Sequence, residues 1–303
     1  MSTVLQINNL TKQYGASARP AVDGISFSVT EGELFCLLGV NGAGKSTTIN
    51  ILCTLLKKTT GEVTVCGHAL GREDEAIRRS IGAVFQSNVL DDVLTVEENL
   101  LCRAAFYGLS RTQAKERIQA LAQRLTMTEF LGRRYGKLSG GQRRKGDIAR
   151  ALLAEPKILF LDEPTTGLDP QSRLDLWNTI DTIRKTEKMT VFLTTHYMEE
   201  TESADRIAII DGGKILCLDT PQRLKSAHSS DILRLIPKAG CEAAMEKHLA
   251  DYERVADTYI LKLANGVEAI GLLGEIQPYL DSFELEKGSM DHVFLNVVGR
   301  KSE

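Results

Sequence analysis

The sequence lacks what would place the chain in a bilayer, in a secretory route or along a nucleic acid. No apolar run reaches the roughly 18 residues that span a membrane, and the first residues carry no apolar leader core. A membrane process would need its membrane part from another chain. Basic excess is also missing: 37 Lys and Arg face 40 Asp and Glu, a net charge of −3. No global basic footprint points to nucleic acid, and none is expected as a partner. Six cysteines (Cys36, Cys53, Cys66, Cys102, Cys217 and Cys241) show no Cys-x-x-Cys or other metal-ligand spacing. Several lie in apolar runs, which reads as buried thiols in a reducing compartment. There is no internal repeat and no low-complexity run. What is left, 43% hydrophobic and 25% charged over 303 residues, is ordinary globular composition with room for two domains.

One stretch stands out. Gly39-Val40-Asn41-Gly42-Ala43-Gly44-Lys45-Ser46-Thr47 fits Gly, four residues, then Gly-Lys-Ser/Thr, the phosphate-loop pattern. Glycines let the loop wrap phosphate oxygens where a Cβ would obstruct it, and the inward N–H groups form an anion nest. Lys45 suits the β- and γ-phosphates, and the Ser46 hydroxyl suits Mg²⁺. The apolar run Leu34–Leu38 before the loop predicts a buried parallel strand, and Ser46–Leu52 after it predicts a helix. The combination predicts a nucleoside triphosphate as ligand.

Alternation predicts half-exposed strands over Val4–Ile7 and Gly24–Val29, with Tyr14 in the loop between them. Further short strands are predicted over Glu62–Cys66 and Ile81–Phe85, the latter ending at Gln86. Helical spacing then runs from Val96 to Leu125, its second helix beginning near Thr112, inside a helical subdomain of about 91–137. Leu138-Ser139-Gly140-Gly141-Gln142 interrupts before another helix, which Pro156 closes. Core-type strands are predicted at Ile158–Leu161, ending in Asp162-Glu163-Pro164, and at Thr190–Thr194, ending in Thr195-His196. Asp211-Gly212-Gly213 is a hairpin turn between two more. The polar stretch Asp219–Asp231 reads as a linker. Beyond it, strands at Ile232–Ile236 and Thr258–Leu263 alternate with helices at Glu242–Leu249 and Val267–Ile276. The predicted domains are 1–224 and a small α+β domain over 225–303.

The carboxyl ends of strands form the ligand edge of an open parallel sheet. Asp162, held rigidly at such an end, can organise Mg²⁺ with Ser46. Glu163, one residue on, is placed to polarise water as general base. By itself an Asp-Glu pair is as often a solvated acidic turn; beside a phosphate loop that reading recedes.

In order and spacing, Gly39–Thr47, Gln86, Leu138–Gln142, Leu161–Pro164, Gly167-Leu168-Asp169 and His196 resemble the motifs of an ATP-binding cassette (ABC) ATPase. Leu-Ser-Gly-Gly-Gln is the most specific of them. The resemblance covers about Val4 to Leu224. It implies a P-loop fold with a central, mostly parallel sheet, an antiparallel β subdomain and a helical insertion. It also implies roles: Tyr14 stacks on adenine, Gln86 touches Mg²⁺ and the attacking water, and His196 contacts the γ-phosphate and supports Glu163. Asp169 speaks across a dimer. Ser139, Gly140, Gly141 and Gln142 face the phosphate loop of a second subunit, so that two ATP molecules lie between head-to-tail copies or between paralogues.

Three functions are weighed: the energising subunit of a transporter, a soluble ABC-type ATPase acting on nucleic acid or ribosomes, and a nucleotide kinase. A chromosome-type ATPase would carry a very long heptad insertion, a translation-type one two cassettes, and a kinase has no Leu-Ser-Gly-Gly-Gln. The transporter reading is preferred, with a separate permease and a peripheral place on the cytoplasmic face of the membrane. Val89–Leu100 resembles the daunorubicin-resistance (ABC-2) branch of exporters. Gly288–Leu295 resembles that branch's tail but departs at Met290, Asp291 and His292. The segment 87–95, with Val89, Leu90 and Val93 expected on the surface, is the predicted groove for the membrane subunit.

Overall fold

Alternating apolar residues in the first thirty positions build two antiparallel strands, β1 (Thr3–Lys12) and β2 (Val22–Thr30), which turn Leu5, Ile7, Ile25, Phe27 and Val29 inward. The computed structural model describes residues 2–15 and 19–299. After β2 come β3 (Leu34–Leu38), whose five residues are all buried, and α1 (Lys45–Leu52). Next are β4 (Thr60–Val65), β5 (His68–Ala69), α2 (Asp74–Ser80) and β6 (Ile81–Val84). Two helices follow, α3 (Val96–Phe106) and α4 (Arg111–Arg124), then α5 (Gly140–Leu152) and β7 (Ile158–Asp162). The chain continues through α6 (Pro170–Glu187), β8 (Thr190–Thr195), β9 (Arg206–Asp211) and β10 (Lys214–Asp219).

Two sheets result. β2-β1-β4-β5 is antiparallel, and β10-β9-β3-β8-β7-β6 is the central sheet, parallel at every pairing from β9 to β6. Phe27 of the first sheet stacks on Phe35 of the second at 4.9 Å between centroids, and Phe35 on Phe192 at 5.4 Å. This aromatic column joins the layers. The order matters for function because β3, β8 and β7 are neighbours in register. Leu38 pairs with Thr195 and Asp162 with Thr194, so the phosphate loop, Asp162-Glu163 and His196 leave the sheet side by side.

Two helix starts differ from the sequence reading. The second helix of the insertion begins at Arg111, because Ser110 and Gln113 form a reciprocal capping box ahead of Thr112. Apolar spacing assigned no helix between Asp169 and Thr190, yet α6 is the longest described helix at 18 residues. Asp169 caps it, and Pro170 occupies the first position, where a missing N–H costs nothing.

The compact units divide between Leu216 and Cys217, not at 224. The reason lies in the supposed linker, which contains α7 (Pro221–His228) with Thr220 accepting from the Arg223 N–H as its cap. The second unit continues with β11 (Asp231–Pro237), α8 (Glu242–Glu246), β12 (Glu253–Val255) and β13 (Thr258–Leu263). It ends with α9 (Gly266–Ile276), β14 (Leu280–Glu286), a strand the pattern did not predict, and α10 (Met290–Gly299). Its antiparallel sheet runs β12-β13-β11-β14 and closes a core around Leu233, Leu235, Met245, Tyr259 and Ile276. Met290, Val293 and Phe294 are the buried residues of α10, and Asn296 bonds the His228 carbonyl at the end of α7.

Candidate active site

The loop after β3 is shaped by close approaches. A Cβ on Gly39 would sit 2.4 Å from the Ile210 carbonyl oxygen, and one on Gly44 2.5 Å from that of Ala21. Gly44 also holds φ 111° as the N-cap of α1, a value that favours glycine. Lys45 is buried, and its Nζ donates to the carbonyls of Gly39 (2.8 Å) and Val40 (3.1 Å) while lying 3.1 Å from Glu163 Oε1. Ala43 is buried, its carbonyl taking the Gly213 N–H.

Ser46 Oγ donates to Asp162 Oδ1 at 3.2 Å, and Thr194 Oγ1 donates to the same oxygen at 2.6 Å. Burial lifts the Asp162 carboxyl above the usual range, against the pull of these two hydroxyls. Glu163 occupies the left-handed region at φ 46°, a strain of about 1–3 kcal/mol for a residue with a side chain. Its N–H is shared between Thr194 O (3.1 Å) and Thr194 Oγ1 (3.2 Å), which holds that conformation in place. Thr166 donates to Glu163 Oε2 at 3.2 Å. His196 Nδ1 is 3.0 Å from the same oxygen, within ion-pair distance but without the angle of a hydrogen bond.

These groups open on a cleft of about 270 Å³ lined by Asn41, Gly42, Gly44, Lys45, Ser46, Thr47, Gln86 and Glu163, with Ala21. Tyr14 does not line it. That ring is exposed, with the Lys12 ammonium 5.0 Å above its centroid.

Ser139, Gly140, Gly141, Gln142 and Asp169 are likewise not among the cleft's lining residues. Ser139 is exposed and caps α5: its Oγ accepts from the Gln142 N–H (3.3 Å), and Gln142 Oε1 accepts from the Ser139 N–H (3.1 Å). Asp169 accepts from the Ser172 N–H at 2.9 Å, and the Ser172 hydroxyl together with that N–H holds its carboxyl below the usual range. A Cβ on Gly140 would lie 3.0 Å from Leu168 Cδ2, and one on Gly141 3.0 Å from Ser172 Cβ. The two glycines therefore let the start of α5 sit tightly on the 168–172 stretch.

The pattern missed Arg144, which is buried and donates to the carbonyls of Phe85 (2.6 Å) and Gln86 (3.1 Å). Burial presses its guanidinium below the usual range. It ties α5 to the segment carrying Gln86, and nothing in its local sequence marks it among the neighbouring basic residues. Leu90 also needs correction. It is buried, not exposed, packing beside Gly146 and near Tyr135: a Cβ on Gly146 would make ordinary contact with Leu90 Cδ1 at 3.5 Å and with Tyr135 Cε2 at 3.4 Å. Val89 and Val93 are exposed as expected.

Comparison with known proteins decides the family. The family model described as ABC transporter matches residues 22–166. The doxorubicin resistance ATP-binding protein DrrA of Mycobacterium tuberculosis is 36% identical across 95% of this chain and 92% of its own length. The chain belongs to the ABC transporter family. The linearmycin resistance ATP-binding protein LnrL of Bacillus subtilis is 35% identical to this ABC ATPase over 98% of the chain and 99% of its own. A dimeric, post-hydrolysis ATP-binding cassette, MJ0796, bound to ADP and Pi, superposes with a TM-score of 0.65. It is 28% identical, covering 71% of this chain and 98% of that one. The cbiO1 structure from Clostridium perfringens gives a TM-score of 0.69 at 26% identity over 74% and 91%. The resistance proteins match nearly the full length, so their likeness includes the second unit. This ABC ATPase binds nucleotide and hydrolyses ATP. Among the described residues no helix is long and apolar enough to cross a membrane.

Proposed function

We propose that the chain is the ATP-hydrolysing subunit of an exporter and works as a head-to-tail pair, with itself or a paralogue. In that pair Ser139–Gln142 and Asp169 of one copy complete the phosphate cleft of the other. The supporting observation is the division of the site within one chain. The catalytic groups pack onto the loop of Lys45, while Ser139 and Gln142 of the Leu-Ser-Gly-Gly-Gln segment bond each other as a helix cap, with Ser139 and Gly140 exposed.

In the completed site the loop N–H groups and the N-terminus of α1 hold the phosphates, and Lys45 supplies a cation to the β- and γ-oxygens. Ser46 and Asp162 form an all-oxygen donor pair suited to Mg²⁺, which takes one or two protein oxygens together with phosphate and water. When bound, Mg²⁺ neutralises charge on the phosphate oxygens. Glu163 takes the proton of the attacking water, a role worth about 10²–10⁴ in rate. Thr166 and His196 face its Oε2 and orient it, His196 also reaching the γ-phosphate. Gln86, joined to α5 through Arg144, carries the state of the site to the helical insertion. Tyr14 stacks on the adenine ring.

Exposed apolar side chains at Val89 (40% exposed), Val93 (70%) and Phe106 (81%) form the surface offered to a separate membrane subunit, at the cytoplasmic face. The cargo class is an amphipathic small molecule, in line with the doxorubicin and linearmycin named for the relatives. The deciding experiment is light scattering of Glu163→Gln with ATP and Mg²⁺. A doubled mass is expected, and a persistent monomer would overturn the shared site.

A further inference from the structure

Away from the phosphate loop, α6 and the turn Met198–Thr201 enclose a second cleft, of about 400 Å³, within the range of small-molecule pockets. One wall is apolar. Pro170, Leu174 and Trp177 follow one another at helical spacing along α6 and line it. Its floor is Glu200, only 3% exposed. Glu200 Oε1 accepts from the Thr165 hydroxyl and from the Trp177 indole N–H, the latter at 3.3 Å. The other oxygen, Oε2, is buried without a hydrogen-bond partner among the described residues, which is costly for a carboxyl group.

The charges around the cleft have one sign in excess. Glu199, Glu200 and Glu202 line it, and Arg173 is the one cation among its described lining residues. Arg173 is engaged within the cleft's own wall: its Nη1 is 3.5 Å from Glu199 Oε2, and its guanidinium sits 4.3 Å above the Tyr197 ring, with Nε buried and without a hydrogen-bond partner among the described residues. An apolar wall ending in an unpaired, buried carboxyl oxygen is complementary to a molecule with an apolar body and one cationic hydrogen-bond donor. The indole face adds attraction for such a cation.

We propose that this cleft binds a small amphiphile bearing one protonated amine, its alkyl or aryl body against Leu174 and Trp177 and its ammonium on Glu200 Oε2. Binding is read at Trp177 and requires no ATP turnover, so it stands apart from the phosphate chemistry.

Trp177 is the single tryptophan of the chain, so its emission reports this cleft alone. The full-length protein is titrated with 4-phenylbutylamine and, in parallel, with 4-phenyl-1-butanol, which has the same body without the charge. The amine should shift the emission in a saturable way at about tenfold lower concentration than the alcohol. Glu200→Gln should remove that difference. Because Glu200 is buried, a second pair of variants is placed at Leu174, which is 56% exposed and tolerant of change. Leu174→Lys should weaken amine binding about tenfold and Leu174→Glu should tighten it, both with unchanged far-ultraviolet circular dichroism. Equal potency of amine and alcohol, absence of saturation, or an amine response indifferent to charge at position 174 would each overturn the proposal.

Discussion

At the phosphate loop the charged side chains are buried and answered from within the chain. Lys45 and Glu163, 3% and 5% exposed, lie 3.1 Å apart, and Asp162 receives the hydroxyls of Ser46 and Thr194. At the start of α5 the polar groups are at the surface and answer only each other, through the Ser139–Gln142 box. Buried charges must be paired where they stand, whereas an exposed helix N-terminus can wait for an anion. In the proposed pair one chain contributes both halves of a nucleotide site, one locked by packing and one presented outward.

The largest expected effect tests whether the two halves meet between chains. Glu163→Gln should lose about 10²–10⁴ in phosphate release, and Ser139→Arg should be equally silent through its blocked signature face. Mixing the two proteins pairs an intact Glu163 with an intact Ser139 from the other copy, so turnover should return. A mixture as inactive as its components would break the comparison.

The locked half should be the costlier to disturb. Lys45→Ala leaves Glu163 buried without its cation. A loss of about 2 kcal/mol in denaturant unfolding is expected, below the roughly 3–5 kcal/mol of an unshielded pair because His196 and Thr166 still face the carboxylate. Adding Glu163→Gln should cost less than the sum of the single changes, a coupling above about 0.5 kcal/mol. Strict additivity would show that the pair is not a unit. In the presented half, Ser139→Ala should cost only a cap, about 1 kcal/mol. Nucleotide affinity of the single chain should stay the same by titration.

The smallest effect sharpens the boundary between the halves. Asp147 of α5 is buried, accepts from the Tyr135 hydroxyl at 3.0 Å, and has its carboxyl lifted above the usual range by desolvation. The folded chain therefore holds this proton more tightly than the unfolded one. Its stability contribution is complete below the ordinary pKa of 3.8 and is lost as pH rises through the folded value, with a slope of at most about 1.4 kcal/mol per pH step of one. Asp147→Asn should flatten the fall in melting temperature on raising pH from this point. An unchanged slope would remove Asp147 as its source.

Much of the catalytic layout is readable in the chain because it is written in contiguous words: a glycine loop after an apolar strand, and polar residues directly after the strands ending at Asp162 and Thr195. Arg144 and the burial of Leu90 are not readable, since both depend on partners more than fifty positions away, as between Arg144 and Phe85. α6 escaped a reading by apolar spacing, although its Asp-Pro start is a strong local signal. The supposed linker failed for a similar reason: eight residues, five of them polar, form α7, whose only buried member is Leu224.

By itself the sequence determined the nucleotide chemistry, because a phosphate loop and its neighbouring carboxylates follow from residue type and short spacing. Only the tertiary structure decided which groups face one another. Sheet order brings residues 45, 162, 163 and 196 to one edge, and Gly140 and Gly141 seat the start of α5 on Leu168 and Ser172. Strand neighbours and glycine contacts are set by long-range packing, which no short stretch of chain encodes.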